Sequence, residues 1–293
     1  MQQLLRFEKD KLLSSLSTFG IGGPAKYFIE VSDIKDLQEL ILFCSQEKLA
    51  YLIIGKGSNC LFDDRGFDGL VILNKIHFCT FLNDCSVHVG SGFSFSLLGA
   101  QTARKGLSGL EFASGIPATV GGAVFMNAGA NGKETKDHLV SVDYITEEGE
   151  LICIPKEDLA FSYRFSSFQK RKGAIVGATF TLLPSLEARQ KQLQIIDYRT
   201  QTQPYKDKSV GCIFRNPEAP LSAGALIEKS GLKGFAVGGA EVSCMHANFI
   251  VNKANATAQD VLTLASEVKK VVLEKMQVNL EMEVRVIPYQ IGV

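Results

Sequence analysis

The sequence predicts an α+β protein, and three observations carry that prediction. Strand-like runs dominate residues 86–182, with one helical interruption. A smaller segment ahead of them mixes strand and helix patterns. The chain then closes with a long, well-capped helix followed by a short strand. The middle is therefore rich in antiparallel strands rather than a series of βαβ units.

Taken in order, KYFIEV (26–31) is β-branched and aromatic and reads as a strand. Ile34, Leu37, Leu40, Ile41 and Cys44 recur at helical spacing, which predicts an amphipathic helix over 33–48 with Ser32 as its cap. YLIIG (51–55) and GLVIL (69–73) are buried strands. SVHVGSG, LVSVDYIT, ELICIP and GAIVGATFTL supply further strands from 86 to 182, and EEGE (147–150) joins two of them as a hairpin. The interrupting helix lies near 95–105. Pro184 ends the last of these strands and a charged helix follows, so the main boundary is expected near 185. HANFIVN (246–252) has a strand pattern. Thr257 and Asp260 form a capping box ahead of an apolar stripe of Val261, Leu264, Ala265, Val268, Val271 and Val272. EVRVIP (283–288) closes the chain as a strand, with Glu283, Arg285 and Ile287 alternating against Val284, Val286 and Pro288.

Composition excludes several classes of function. The 293 residues suffice for roughly two domains of common size, and 46% hydrophobic with 21% charged residues is ordinary for a globular protein. Lys+Arg and Asp+Glu are equal at 31 each, so no basic excess calls for a nucleic-acid partner. MQQLLRFEKDK lacks a signal-peptide apolar region, and no window offers the ~20 apolar residues of a membrane span. A cytoplasmic protein that does not enter the membrane is expected, with a monomer as the default. The 7 cysteines are scattered, odd in number and without C-x-x-C, and the 4 histidines show no paired spacing. Neither a disulfide framework nor a metal site is expected.

Two glycine-rich stretches call for a ligand. IIGKGSN (53–59) follows a buried strand; its glycines permit positive φ and an anion-binding concavity of N–H groups, with Ser58 and Asn59 adding polar side chains. A tight turn is the plainer alternative. GIPATVGGAVFMNAGANG (115–132) is both apolar and glycine-rich, which suits backbone packed flat against a large planar ligand or its pyrophosphate better than an exposed loop. The common nucleotide motifs fail: at Gly132-Lys133 the first P-loop glycine is replaced by Asn127, with Glu134 after the lysine, and G-x-G-x-x-G ends on Cys60 instead of glycine. Two separate glycine loops without a Rossmann unit point to the other common flavin-binding architecture. Cys212, in GCIFRNP (211–217), is at this point a nucleophile, a proton donor or a small core residue.

TFGIGGPA (18–25), GKGSNCLF (55–62), SGIPATVGGAVFMNAGANG (114–132), YRFSSF (163–168), GCIFRNP (211–217), HANFIVN (246–252) and LEMEVRVI (280–287) occur in this order. Together they resemble the UDP-N-acetylenolpyruvoylglucosamine reductase family of peptidoglycan synthesis, in its shorter form without an inserted substrate loop. The resemblance implies three segments. Residues 1–73 and 74–185 would hold non-covalent FAD in the fold of vanillyl-alcohol-oxidase-type flavoenzymes, and 186–293 would be a smaller α/β substrate-binding domain. It also implies NADPH as reductant and UDP-N-acetylglucosamine enolpyruvate as the small-molecule substrate.

Residue by residue, Arg164 and Glu283 fall on the family's catalytic arginine and glutamate, and Cys212 on its proton-donor serine. Gly55, Lys56, Gly57, Ser58, Asn59 and Cys60 match one flavin-contacting segment; Ile116, Pro117, Thr119, Gly121, Gly122 and Asn127 match the other. Tyr163, Asn216 and His246 match the substrate side. The chain departs from the family pattern at Lys56, Cys60, Ala118 and Met282, and Ala118 needs a negative φ to avoid strain where glycine is common.

The implied chemistry suits these residue types. A guanidinium stays charged and offers two parallel N–H bonds to a carboxylate, which fits Arg164 to an enolpyruvyl carboxylate that gains charge during reduction. An ordinary thiol, with pKa about 8.5, is mostly protonated at neutral pH and is a stronger acid than the serine hydroxyl it replaces. Salt bridge, strand-face carboxylate and structural histidine are the plainer readings of Arg164, Glu283 and His246. Two rival functions remain: a different FAD-linked oxidoreductase of the same binding fold, and a catalytically silent UDP-sugar-binding relative.

Overall fold

The computed structural model describes residues 7–218 and 220–290. The protein forms two compact units, and the chain crosses between them repeatedly. Unit 1 comprises Met1–Phe28, Lys56–Leu70 and Thr200–Val293; unit 2 comprises Ile29–Gly55 and Val71–Arg199. The strands Pro24–Val31 and Phe67–Asn74 each run from one unit into the other, as does the charged helix Ala188–Thr202 (α4).

Unit 2 is built on a five-stranded antiparallel sheet. Its order is Leu151–Pro155, Leu139–Thr146, Gly173–Thr181, Ser86–Gly90, Cys79–Phe81. The first two strands form the hairpin predicted at 147–150, in register Ile145↔Leu151. One face packs a core that includes Val87, Val89, Phe95, Val142 and Phe180 beneath the helices Phe95–Arg104 (α2) and Val120–Met126 (α3). On the sheet, His88 Nε2 meets Asp143 Oδ2 at 2.6 Å across Gly177, where a Cβ would lie 2.4 Å from that carboxylate. Glycine thus makes room for a bond between strands that do not pair with each other.

The first helix, Ile34–Gln46 (α1), buries Leu37, Leu40, Ile41 and Cys44, as their spacing predicts. Its cap differs from the expected Ser32. Asp33 is extended, and its carboxylate accepts from Lys35 N at 2.7 Å and Asp36 N at 3.3 Å. A residue one place nearer the helix reaches the two free N–H groups that Ser32 would have had to span.

Unit 1 packs its core around the helix Ala258–Met276 (α6). Val261, Leu264, Val268 and Val272 meet Phe19, Leu61, Ile213 and Phe214, all buried. The Thr257–Asp260 capping box forms as predicted, and Asp64 adds a second carboxylate that accepts from Ala258 N and Gln259 N at 2.8 and 3.2 Å. A short helix, Ala223–Lys229 (α5), and a three-stranded sheet of Ala236–Val237, Ala240–Val242 and Ile250–Asn252 complete this part. Only Ile250–Asn252 of HANFIVN is strand. Residues 246–248 form a turn instead, because the Asn248 N–H bonds His246 Nδ1 rather than a neighbouring strand.

The closing strand is likewise shorter than expected. Arg285–Ile287 runs parallel to Cys60–Phe62, while Glu283 N pairs with Ile213 O in a different segment. The change of partner breaks the predicted alternation, leaving Val286 43% exposed and Ile287 buried. No helix among the described residues is long and apolar enough to cross a membrane.

Candidate active site

In unit 2 the strand Tyr51–Ile54 delivers Gly55 directly against the second glycine-rich stretch. A Cβ on Gly55 would lie 2.4 Å from Thr119 Oγ1, so only glycine lets the two stretches meet. Gly115 has φ 84°, Ile116 is half-buried and Pro117 is exposed. Ala118 is absent from the left-handed region, so glycine is not required there. Thr119 Oγ1 accepts from Gly122 N at 3.3 Å and caps α3. Gly121 packs on Ser91, 2.9 Å from where its Cβ would be. Gly122 differs: it is exposed, and its nearest neighbour would be Thr119 Oγ1 at 3.4 Å. The fold has room for a side chain at this position, inside a helix that glycine weakens.

Helix α3 ends at Asn127, which is left-handed (φ 44°) and fully buried. Its Nδ2 donates to Ser162 O at 2.9 Å and to Glu134 Oε2 at 3.1 Å, and its Oδ1 accepts from Lys136 N at 3.1 Å. Asn127 therefore fastens the glycine-rich stretch to the hairpin of Phe161–Ser162 and Phe165–Ser166. Ser166 Oγ and Gln169 Nε2 add bonds to Phe125 O at 2.6 and 3.0 Å.

That hairpin presents Tyr163 and Arg164 at its tip. Arg164 is left-handed (φ 56°), a conformation rare for a non-glycine residue and found where surroundings hold it. Gln169 Nε2 donates to its carbonyl at 3.1 Å, Arg164 Nη2 donates to Gly129 O at 3.0 Å, and the guanidinium lies 4.7 Å from the Tyr163 ring centroid. The arginine is thus tied to the stretch that the first loop touches.

Unit 1 assembles the other candidates. Gly57 (φ 58°) passes so close to Leu16 O that a Cβ would lie 2.4 Å away, and Ser17 Oγ donates to Gly57 O at 3.4 Å. Lys56 is exposed, and Ser58 is half-buried. Asn59 O accepts from Arg285 N at 3.1 Å, and Asn59 Nδ2 donates to Glu283 O at 3.4 Å. Burial pushes the Cys60 thiol up to about 11, against a smaller lowering by Arg285. Glu283 N donates to Ile213 O at 2.8 Å, so Glu283 is held from the segment of Cys212 on one side and from Asn59 on the other.

Cys212 makes an isolated bridge to Phe249, after Gly211 turns the chain at φ 83°. Asn216 Oδ1 accepts from Ala223 N at 3.0 Å, and His246 lies beside Gly224 while packing edge-on to Phe249 at 4.9 Å. Both substrate-side candidates of unit 1 therefore converge on the start of α5. Asn248, which the sequence reading passed over, is 3% exposed and bonds Phe214 N at 3.0 Å and Phe214 O at 2.8 Å through its side chain. Its signal was a single amide inside an apolar run. Among the described residues no group of three or more His, Cys, Asp or Glu is placed to hold a metal.

The exposed Gly122 leaves one face of α3 accessible, with only Thr119 Oγ1 near its Cβ position. An FAD binding domain model matches residues 25–154, and the model of the C-terminal domain of UDP-N-acetylenolpyruvoylglucosamine reductase matches 203–287. The enzyme of that name from Protochlamydia amoebophila is 58% identical over 288 residues, covering 98% of this chain and 96% of the relative. The one from Chlamydia muridarum is 52% identical, covering 95% and 93%. The crystal structure of the Thermus caldophilus reductase superposes with a TM-score of 0.83 at 38% identity, over 97% of this chain and 99% of that one. With this likeness end to end, and with both domain models in chain order, the protein belongs to the UDP-N-acetylenolpyruvoylglucosamine reductase family of FAD-binding oxidoreductases.

Proposed function

We propose that the protein reduces UDP-N-acetylglucosamine enolpyruvate to UDP-N-acetylmuramate, with NADPH as reductant, as a cytoplasmic monomer in peptidoglycan precursor synthesis. One observation carries this reading furthest. The Glu283 N–H bonds the carbonyl of the residue after Cys212, and the Glu283 carbonyl accepts from Asn59 of the first glycine-rich loop. A single stretch of backbone therefore registers the proposed acid, the proposed carboxyl group and a proposed flavin-holding loop, as delivery of hydride and proton to adjacent carbons requires.

The chemistry that FAD supplies when bound is hydride transfer from NADPH to C3 of the enolpyruvyl group. Residues 55–60 of the first loop and 116–127 of the second would hold it. Within the second, Gly122 gives the ligand close backbone approach and Asn127 keeps the stretch in place. Arg164 binds the substrate carboxylate and stabilises the negative charge that develops there. Cys212 donates the proton from Sγ to C2, completes the addition of two hydrogens across the double bond, and regains a proton from solvent. Glu283 hydrogen-bonds the carboxylate side of the substrate, and Tyr163, Asn216 and His246 contact the sugar nucleotide. On this reading residues 1–73 and 74–185 serve the flavin and 186–293 the substrate.

Anaerobic stopped-flow on wild type and Cys212→Ala tests the proposal, with each half-reaction followed in the visible flavin band. NADPH should bleach both proteins equally. Reoxidation by the enolpyruvyl substrate should fall by about 10²–10⁴-fold in the variant alone. Equal reoxidation would remove Cys212 as the donor, and a protein that binds no flavin would sink the reductase reading as a whole.

A further inference from the structure

We infer that Asn248 is a positioning residue for proton delivery from Cys212; this rests on the reading of Cys212 as the donor. The segment after Cys212 belongs to no regular sheet. It has single bridges only, Cys212 to Phe249 and Phe214 to Met282, so no continuous ladder sets its register.

Asn248 holds the segment instead. Its main-chain carbonyl accepts from Ile213 N at 2.8 Å, its Oδ1 accepts from Phe214 N at 3.0 Å, and its Nδ2 donates to Phe214 O at 2.8 Å. The side-chain amide copies a peptide group and serves as a one-residue strand for Phe214, while the main-chain carbonyl holds Ile213. On their other edge, the Ile213 carbonyl carries Glu283. Asn248 is buried, and its own N–H is fixed on His246 Nδ1 at 3.2 Å, so it has no freedom to follow a shift of the segment. The backbone that follows Cys212 and carries Glu283 is therefore held through Asn248. A displacement of about 1 Å in such a group slows chemistry by about a hundredfold.

The test is Asn248→Asp in the FAD-loaded enzyme, beside Asn248→Ala, Cys212→Ala and wild type, with both half-reactions measured from pH 5.5 to 8. A carboxylate at 248 still accepts from Phe214 N, but its second oxygen opposes Phe214 O. Once protonated it donates there and restores the amide's pattern. Reoxidation by the enolpyruvyl substrate is expected to slow about tenfold to a hundredfold in the Asp variant at pH 8 and to recover toward wild type as pH falls. The Ala variant should be slow at every pH, and reduction by NADPH and flavin content should match wild type throughout.

Wild-type reoxidation in the Asp variant at pH 8, or a deficit that does not change with pH, would overturn the role. So would loss of flavin or slowed NADPH reduction in both variants, since a general weakening of the fold would then explain them. If Cys212→Ala reoxidises normally, the reading of Cys212 fails by itself, and proton delivery from that residue fails with it. The recovery of the Asp variant would then report positioning of the segment alone.

Discussion

Gly55, Gly121 and Gly122 look alike in the sequence but answer to different neighbours. The first two are small because Thr119 and Ser91 stand where a Cβ would be, whereas a Cβ on the third would meet only Thr119 Oγ1, at 3.4 Å. Gly122→Ala is therefore expected to raise the stability of the flavin-free protein by about 0.5–1 kcal/mol while weakening FAD binding about tenfold or more. Urea melts with and without FAD would show this, and a variant that binds FAD as wild type would remove the functional reading of Gly122. Gly55→Ala should instead lose about 1–3 kcal/mol with or without the flavin, by overpacking against Thr119. The cysteines sort in the same local way. Burial pushes the Cys44 thiol up to about 12, and Cys60 up to about 11, while Cys153 and Cys244 are exposed. Mass-resolved alkylation at pH 7.5 should label Cys153 and Cys244 first and Cys44 last; early labelling of Cys44 would contradict its burial.

Helices and hairpins depend on a few polar side chains at their ends. Asn127 spends its whole amide on Glu134, Ser162 and Lys136, which joins the end of α3 to the hairpin that carries Tyr163 and Arg164. Asn127→Ala should cost about 2–4 kcal/mol, because Ser162 O and Lys136 N are left without this partner in a part-buried place. It should also raise KM for the enolpyruvyl substrate as the Arg164 hairpin loosens. An unchanged KM with lowered stability would confine Asn127 to structure. At the other end of the chain, α6 has both the Thr257–Asp260 box and the Asp64 carboxylate on its first N–H groups. Thr257→Ala is accordingly expected to cost about 1 kcal/mol or less, since one cap remains.

Across the whole chain, stability should respond to pH in two windows. Burial holds Cys44 and Tyr51 up to about 12 and Cys60 up to about 11, and it also raises Tyr144. Unfolded, these groups release their protons from about pH 8.5–10 upward. The unfolded chain therefore binds fewer protons than the folded one above that range, and stability present at neutral pH is lost as pH rises through it. Urea midpoints that hold constant from pH 7 to 10.5 would contradict this. On the acid side Arg65 lowers Asp63 to about 2, chiefly through their side-chain hydrogen bond. Its contribution is full above about pH 4 and is lost as pH falls toward 2, and it is small because Arg65 is 71% exposed. The two compact units interleave in the chain, with three segments in one and two in the other. Excising 186–293 would separate Cys60–Phe62 from its partner strand Arg285–Ile287, so that fragment is expected to fold poorly alone.

By itself the sequence determined the elements whose evidence is local. The stripe of α6, its capping box, the hairpin at 147–150 and the strand before Gly55 follow from periodicity and turn chemistry within a dozen residues. It also marked the two glycine-rich stretches, because glycine density announces close approach without saying to what. Only the tertiary structure decided the partners. That Gly55 meets Thr119, that Asn127 spans to Ser162, that Glu283 hangs from Ile213 and Asn59, and that Asn248 serves as a strand for Phe214 are contacts between residues 34 to 224 positions apart or brought together by a fold. The same reason explains the shortened strands at 250–252 and 285–287. A pattern of side chains records which conformation a segment favours, whereas a hydrogen bond needs a donor and an acceptor whose meeting depends on the rest of the chain.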